Sequence, residues 1–159
     1  MEKLINLDEE VVHLHVLAEN REDVMATLSE DLKRHHYVKE SFLSSILERE
    51  KVFPTGLPLA TMGVAIPHTD PEHVIRPMIS VAVLENPVDF IMMGSENTIV
   101  NVEIVLMLAI SDPAKQLSLL ERLMGVFQND AAMSQLKYAT SAKELVEVLD
   151  KELNPISVE

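Results

Sequence analysis

The chain has 159 residues, 47% of them hydrophobic, enough for one domain with a substantial core and too few for two ordinary ones. Thirteen Lys and Arg stand against twenty-six Asp and Glu, a formal charge of −13 that argues against nucleic acid and anionic membranes as partners and favours basic proteins. Cysteine is absent, which removes disulfides, thiolate metal sites and cysteine nucleophiles and is compatible with the cytosol. The longest apolar run, residues 104–110, is too short to span a bilayer, and the first residues lack the basic start and apolar stretch of a signal peptide, so a soluble cytoplasmic protein is expected.

Val12-His-Leu-His-Val16 alternates apolar and polar residues as a half-buried strand does. Asn20 with Asp23 forms a capping box for a helix whose Val24, Leu28 and Leu32 share one face. A second helix is expected over 39–50, with Phe42 above Ile46 and Leu43 above Leu47, and with Arg49 in the last turn, where a cation suits the helix dipole. Phe53-Pro-Thr-Gly-Leu-Pro58 reads as a loop, and strands are expected over 62–66, 79–84 and 100–110, the last buried on both faces. Ser111-Asp-Pro113 starts a helix in which Leu117, Leu120, Met124 and Phe127 recur at helical spacing. A short helix over 131–138 follows Asn129-Asp130, and Ser141-x-x-Glu144 caps a last helix carrying Leu145, Val148 and Leu149. A flexible polar tail is expected from about 153. Strands interspersed with helices predict a single α/β domain over 1–159 with helices on both sheet faces.

Thr61-Met-Gly-Val-Ala-Ile-Pro-His-Thr69 is the stretch that carries chemistry. Pro67 cannot donate to a sheet ladder and ends the strand before it, so His68 opens a loop at a strand end. A histidine that accepts a phosphoryl group must be neutral, accessible and close to hydrogen-bond donors, because that transfer depends on positioning and charge stabilisation. Thr69 offers a hydroxyl and a backbone N–H, and Arg49 offers a guanidinium shaped for phosphate. Position alone also allows a solvated helix-end role for Arg49 and an ordinary surface role for His68.

Arg49-Glu50, Pro54-Thr-Gly-Leu57, Gly63-Val-Ala-Ile-Pro-His-Thr69 and Asp70-Pro-Glu-His-Val74 together resemble the active-site region of the enzyme IIA domains of the mannitol/fructose class of the bacterial sugar phosphotransferase system, and within it the galactitol type. The order of elements resembles the class over nearly the whole chain, whereas the specific motif spans 49–74. The resemblance implies a single-domain, mixed and mostly parallel sheet with helices on both faces. It also implies that His68 takes a phosphoryl group from the phosphocarrier HPr and passes it to a cysteine of the cognate IIB during sugar uptake, with the membrane IIC reached only indirectly, with Arg49 at the active-site arginine, and with no cofactor or metal. One departure stands out: where many members of the class carry a second active-site histidine, this chain has Gln116, which orients by hydrogen bonding and does not titrate.

The remaining histidines support weaker readings. His13 and His15 lie two apart on a strand, a solvated face more readily than a metal site, and His35-His36 suit a helix C-terminus. His68, Asp70 and His73 have ligand-type spacing, so a metal-dependent hydrolase is one rival. The other is a nitrogen- or sugar-regulatory module of the same fold, which would sense phosphorylation state instead of feeding a transporter.

Overall fold

The computed structural model describes residues 4–154. The side chain of Asp8 caps a single 3-10 turn, and the chain enters β1 (Val12–Val16). The alternation of β1 is broken at His15, where φ is 54° and the register slips. His13 and His15 consequently find separate partners, Asp31 and Glu85.

In α1 (Arg21–Arg34) the Asn20 side chain accepts from the Asp23 N–H at 2.9 Å, and the Asp23 carboxylate accepts from the Glu19 N–H at 3.2 Å. Val24, Leu28 and Leu32 are fully buried, as their spacing predicts. The helix closes when the Tyr37 N–H reaches the Leu32 carbonyl and the His36 N–H reaches that of Lys33, with His36 left-handed at φ 63°. Next comes α2 (Phe42–Val52), with Phe42 and Ile46 in the core.

The stretch read as a loop contains a strand, β2 (Gly56–Pro58), paired antiparallel with β3 (Gly63–Ala65). It lies at the sheet edge, where Pro58 is tolerated, and three residues are too few to show a period. β4 (Met78–Ile91) runs far past the expected end at Leu84, because a register slip between Val83 and Val88 absorbs Asn86 and Pro87. β5 (Ile99–Ala109) completes the sheet, and α3 (Pro113–Phe127), α4 (Asp130–Lys137) and α5 (Ala142–Leu153) follow, each capped by an Asp, Asn or Ser side chain.

The strand order is β1-β4-β5-β3-β2. The α/β architecture with a mixed sheet is as expected, but parallel pairings do not predominate: β1–β4 and β3–β5 are parallel, β4–β5 and β2–β3 antiparallel. One sheet face packs on α1 and α2 through residues such as Phe42, Val105 and Met107, and the other packs on α3, α4 and α5 through Leu106, Leu123 and Leu149. Gly63 is required where β3 meets β5, since a Cβ there would lie 2.2 Å from the Asn101 carbonyl oxygen. In α3 the buried stripe is Leu119, Leu123, Val126 and Phe127, and Leu117 is 61% exposed, correcting the expectation that it faces the core. Leu117 opens the second turn of α3, off the face that carries Leu119 and Leu123.

The chain remains ordered past the expected start of the tail. Leu153 is buried, and the Asn154 side chain accepts from the Ile5 N–H at 3.1 Å and donates to the Ile5 carbonyl at 2.7 Å. The rest of the expected tail, 155–159, lies outside the described residues.

Because β3 and β5 are parallel, their C-terminal ends share one end of the sheet. His68, just past β3, is bridged to Leu108 of β5, and α3 begins at Pro113 shortly beyond. The site is therefore built where strand ends and two helices meet.

Candidate phosphoryl-transfer site

Pro67 and His68 leave the sheet under restraint. The Pro67 carbonyl accepts from the Leu108 N–H at 2.9 Å, and the His68 Nδ1–H donates to the Ile66 carbonyl at 2.8 Å. That second bond selects the tautomer: with the proton on Nδ1, the free lone pair lies on Nε2. His68 is half-buried, and burial pushes its pKa below the ordinary value; the Ile66 carbonyl opposes this and the Arg49 charge reinforces it. The imidazole is accordingly neutral near pH 7, the state that nucleophilic attack needs.

The loop after His68 is fastened to one face of α2. Ser45 and Arg49 are four residues apart, with the N-cap residue Ser41 one turn earlier, and all three meet the loop. Ser41 Oγ lies 2.7 Å from His73 Nδ1, the Ser45 hydroxyl bonds that of Thr69, and Arg49 approaches Asp70 at 3.8 Å. The Arg49 guanidinium also lies over the Phe53 ring, 5.1 Å from its centroid, and its buried Nε has no partner among the described residues. Arg49 is thus held near His68 with donor capacity to spare, so its sequence reading as a solvated helix-end arginine does not describe its surroundings.

Thr69 differs from the expectation. It is 5% exposed and its hydroxyl is engaged by Ser45, so the side chain braces the loop. Gln116 is half-buried on the first turn of α3 and its side chain makes no hydrogen bond to another described residue. The ligand-type spacing of His68, Asp70 and His73 does not become a metal site. His73 turns to Ser41 and His68 to Ile66, and among the described residues no three His, Asp or Glu side chains are arranged to hold an ion.

Two residues that sequence reasoning left without a role stand behind the imidazole. Glu50, next to Arg49 but on the buried Phe42–Ile46 side of α2, is 6% exposed. Its carboxylate accepts from the Thr55 N–H at 2.8 Å and from the Thr55 hydroxyl at 3.0 Å, and Thr55 Oγ1 accepts from the Ile66 N–H at 3.2 Å. Burial pushes the Glu50 pKa up to about 7, against the pull of the Thr55 bonds and of the Arg21 and Arg49 charges. A charged residue continuing an apolar helical stripe at i+4 was the available signal.

A family model described as phosphoenolpyruvate-dependent sugar phosphotransferase system, EIIA 2, matches residues 5–152. The galactitol-specific EIIA component of Escherichia coli is 28% identical over 109 residues, 69% of this chain and 72% of that protein. The fold is shared with enzyme IIAMTL in its complex with phosphorylated enzyme IIBMTL from Escherichia coli, with a TM-score of 0.73, 23% identity and coverage of 91% of this chain and 96% of that one. It is shared equally with the nitrogen regulatory protein IIA-Ntr from Neisseria meningitidis, with a TM-score of 0.72, 21% identity and coverage of 90% and 95%.

Proposed function

This chain belongs to the EIIA 2 family of the phosphoenolpyruvate-dependent sugar phosphotransferase system, and from that premise we propose that His68 is a phosphohistidine relay in sugar uptake. The observation that carries the reading is the single restrained imidazole at the sheet end, with Nδ1–H tied to the Ile66 carbonyl and Arg49 beside it. In the first step the His68 Nε2 lone pair attacks the phosphorus of a donor phosphohistidine on HPr. The donor N–P bond breaks and its electron pair returns to the donor ring. The positive charge that develops on the His68 ring is stabilised through Nδ1–H by the Ile66 carbonyl, and Arg49 neutralises the phosphoryl oxygens.

In the second step a cysteine thiolate of the cognate IIB attacks the same phosphorus, and the Nε2–P electron pair returns to the imidazole. A protein that hands on its cargo must not hold it too tightly, and one arginine supplies less grip than a cage of donors. Gln116 orients the phosphoryl group or the ring from the α3 side. The galactitol-specific relative supports a hexitol transporter as the destination. The charge of −13 supports electrostatic encounter with basic partner surfaces.

The test is incubation of the purified protein with phosphoenolpyruvate, enzyme I and HPr, followed by intact mass under mildly alkaline conditions. One added phosphoryl group, absent in His68→Ala and discharged by the cognate IIB, is the expected result. An unchanged wild-type mass beside demonstrably phosphorylated HPr would refute the relay.

A further inference from the structure

We propose that Glu50 is a positioning residue for His68, acting through Thr55 and the backbone of Ile66. The inference rests on His68 reacting through Nε2. The hydrogen bonds have a fixed direction. A threonine hydroxyl has one proton, and an ionised Glu50 can only accept, so that proton points to the carboxylate and the Oγ1 lone pairs face Ile66. The Ile66 N–H donates into Thr55 Oγ1 at 3.2 Å, and the Ile66 carbonyl receives His68 Nδ1–H at 2.8 Å. Both polar groups of Ile66 are therefore spent on side chains that bear on the imidazole, and its ψ is held from both ends.

Stability alone does not account for an acidic residue here. Glu50 continues the Phe42–Ile46 stripe, where an apolar side chain would pack without the cost of burying a carboxyl. The charges facing it come from every neighbouring element: Arg21 and Glu22 on α1, Arg49 and Lys51 on α2, and Glu96 in the β4–β5 turn, several of them around a cavity of about 440 Å³ that Glu50 lines. None of them takes the place of Thr55 as its hydrogen-bond partner. A buried, costly group wired to the tautomer-setting carbonyl is explained by what it positions.

The experiment is ¹⁵N NMR of the His68 ring, assigned by difference from His68→Ala, in wild type, Thr55→Val, Thr55→Ser and Glu50→Gln, with the rate of phosphoryl acceptance from HPr measured on the same samples. Thr55→Val is expected to move the ring from the Nδ1–H tautomer toward a mixture and to slow acceptance about tenfold, the worth of one buried hydrogen bond, while Thr55→Ser retains both wild-type values. Glu50→Gln is expected to shift the tautomer in the same direction, which keeps the test open should Thr55→Val fail to fold. A wild-type tautomer in both Thr55→Val and Glu50→Gln overturns the proposal, whatever the rates. A tautomer that responds in a protein that accepts no phosphoryl group refutes the relay and leaves the positioning intact.

Discussion

On the α2 side of His68, Ser45 is bonded to Thr69, Ser41 to His73, Arg49 is drawn toward Asp70, and Glu50 reaches the ring's own anchor through Thr55. On the α3 side, Gln116 has no side-chain bond to a described residue and Leu117 is 61% exposed. One flank is fixed before any partner arrives, and the other offers an apolar residue and an unspent amide. The difference separates two tasks. Holding an imidazole in one tautomer requires bonds already made, because reorganising them during transfer would add to the barrier. The proposed relay would also receive two successive partners, and a surface that binds and lets go is better served by exposed apolar contact than by a built network.

If the α2 flank supplies the chemistry, the largest effect should come from Arg49. Arg49→Ala is expected to slow phosphoryl acceptance by about 10²–10³-fold, the scale for removing one transition-state donor, with Arg49→Lys recovering only part because a point charge cannot match two oxygens at once. Stopped-flow measurement of phosphoryl transfer from HPr reads this directly. A rate within twofold of wild type for Arg49→Ala would mean that the fixed flank is scaffold only.

The second effect concerns what the fixed flank costs. Glu50 has a folded pKa of about 7 against an ordinary 4.5, so between those values the folded protein holds more protons than the unfolded one, and stability falls as pH rises through that window. Complete deprotonation is worth roughly 3 kcal/mol. Glu50→Gln keeps an oxygen for the Thr55 N–H and loses the titration. Its stability relative to wild type, from urea unfolding, is expected to rise by roughly 2–3 kcal/mol between about pH 5 and pH 8. His68 has the opposite slope, since a depressed imidazole pKa gives stability present above about 6.5 and lost as pH falls, and making the comparison in a His68→Ala background removes it. A difference that does not vary with pH would remove the strain assigned to Glu50.

How much of this was legible beforehand differs between the flanks. The helix caps at Asn20, Asp112 and Ser141 and the buried run of β5 are short-range patterns, and the sequence displays them directly. The proposal of His68 came from the Pro-His junction and that of Arg49 from the resemblance of the motif around it, and the structure brings the Arg49 charge to bear on the imidazole. Thr55 and Glu50 were not legible, because their bond joins the last turn of α2 to the loop residue just before an edge strand of three residues, where no period shows. The surroundings of the Thr69 hydroxyl were hidden for a similar reason: whether it faces solvent or a helix depends on where Ser45 lies, and only the packing of the loop on α2 settles that. Leu117 lies at helical spacing from core residues, but the stripe is set by how α3 lies on the sheet, and the sheet contacts select Leu119 and Leu123.

The free flank is tested by smaller effects. If partners dock on α3, Leu117→Asp is expected to leave thermal stability unchanged, since the side chain is exposed, and to slow transfer about tenfold by placing a desolvated charge in the contact. Unaltered kinetics for this variant would move the docking surface away from α3.

Gln116→Ala removes one neutral amide, which is worth about 1 kcal/mol if it bonds the ring or the phosphoryl group, or roughly a fivefold loss of rate. An amide does not titrate, so the loss should be the same at every pH at which the protein is folded, whereas Arg49 and Glu50 variants act on a charge or on the tautomer. A pH-independent loss of that size makes Gln116 an orienting group that engages only when the phosphoryl group is present, which suits a side chain with no hydrogen bond to another described residue. Unchanged rates in both directions would leave the α3 flank as a docking surface and place all of the orientation on α2.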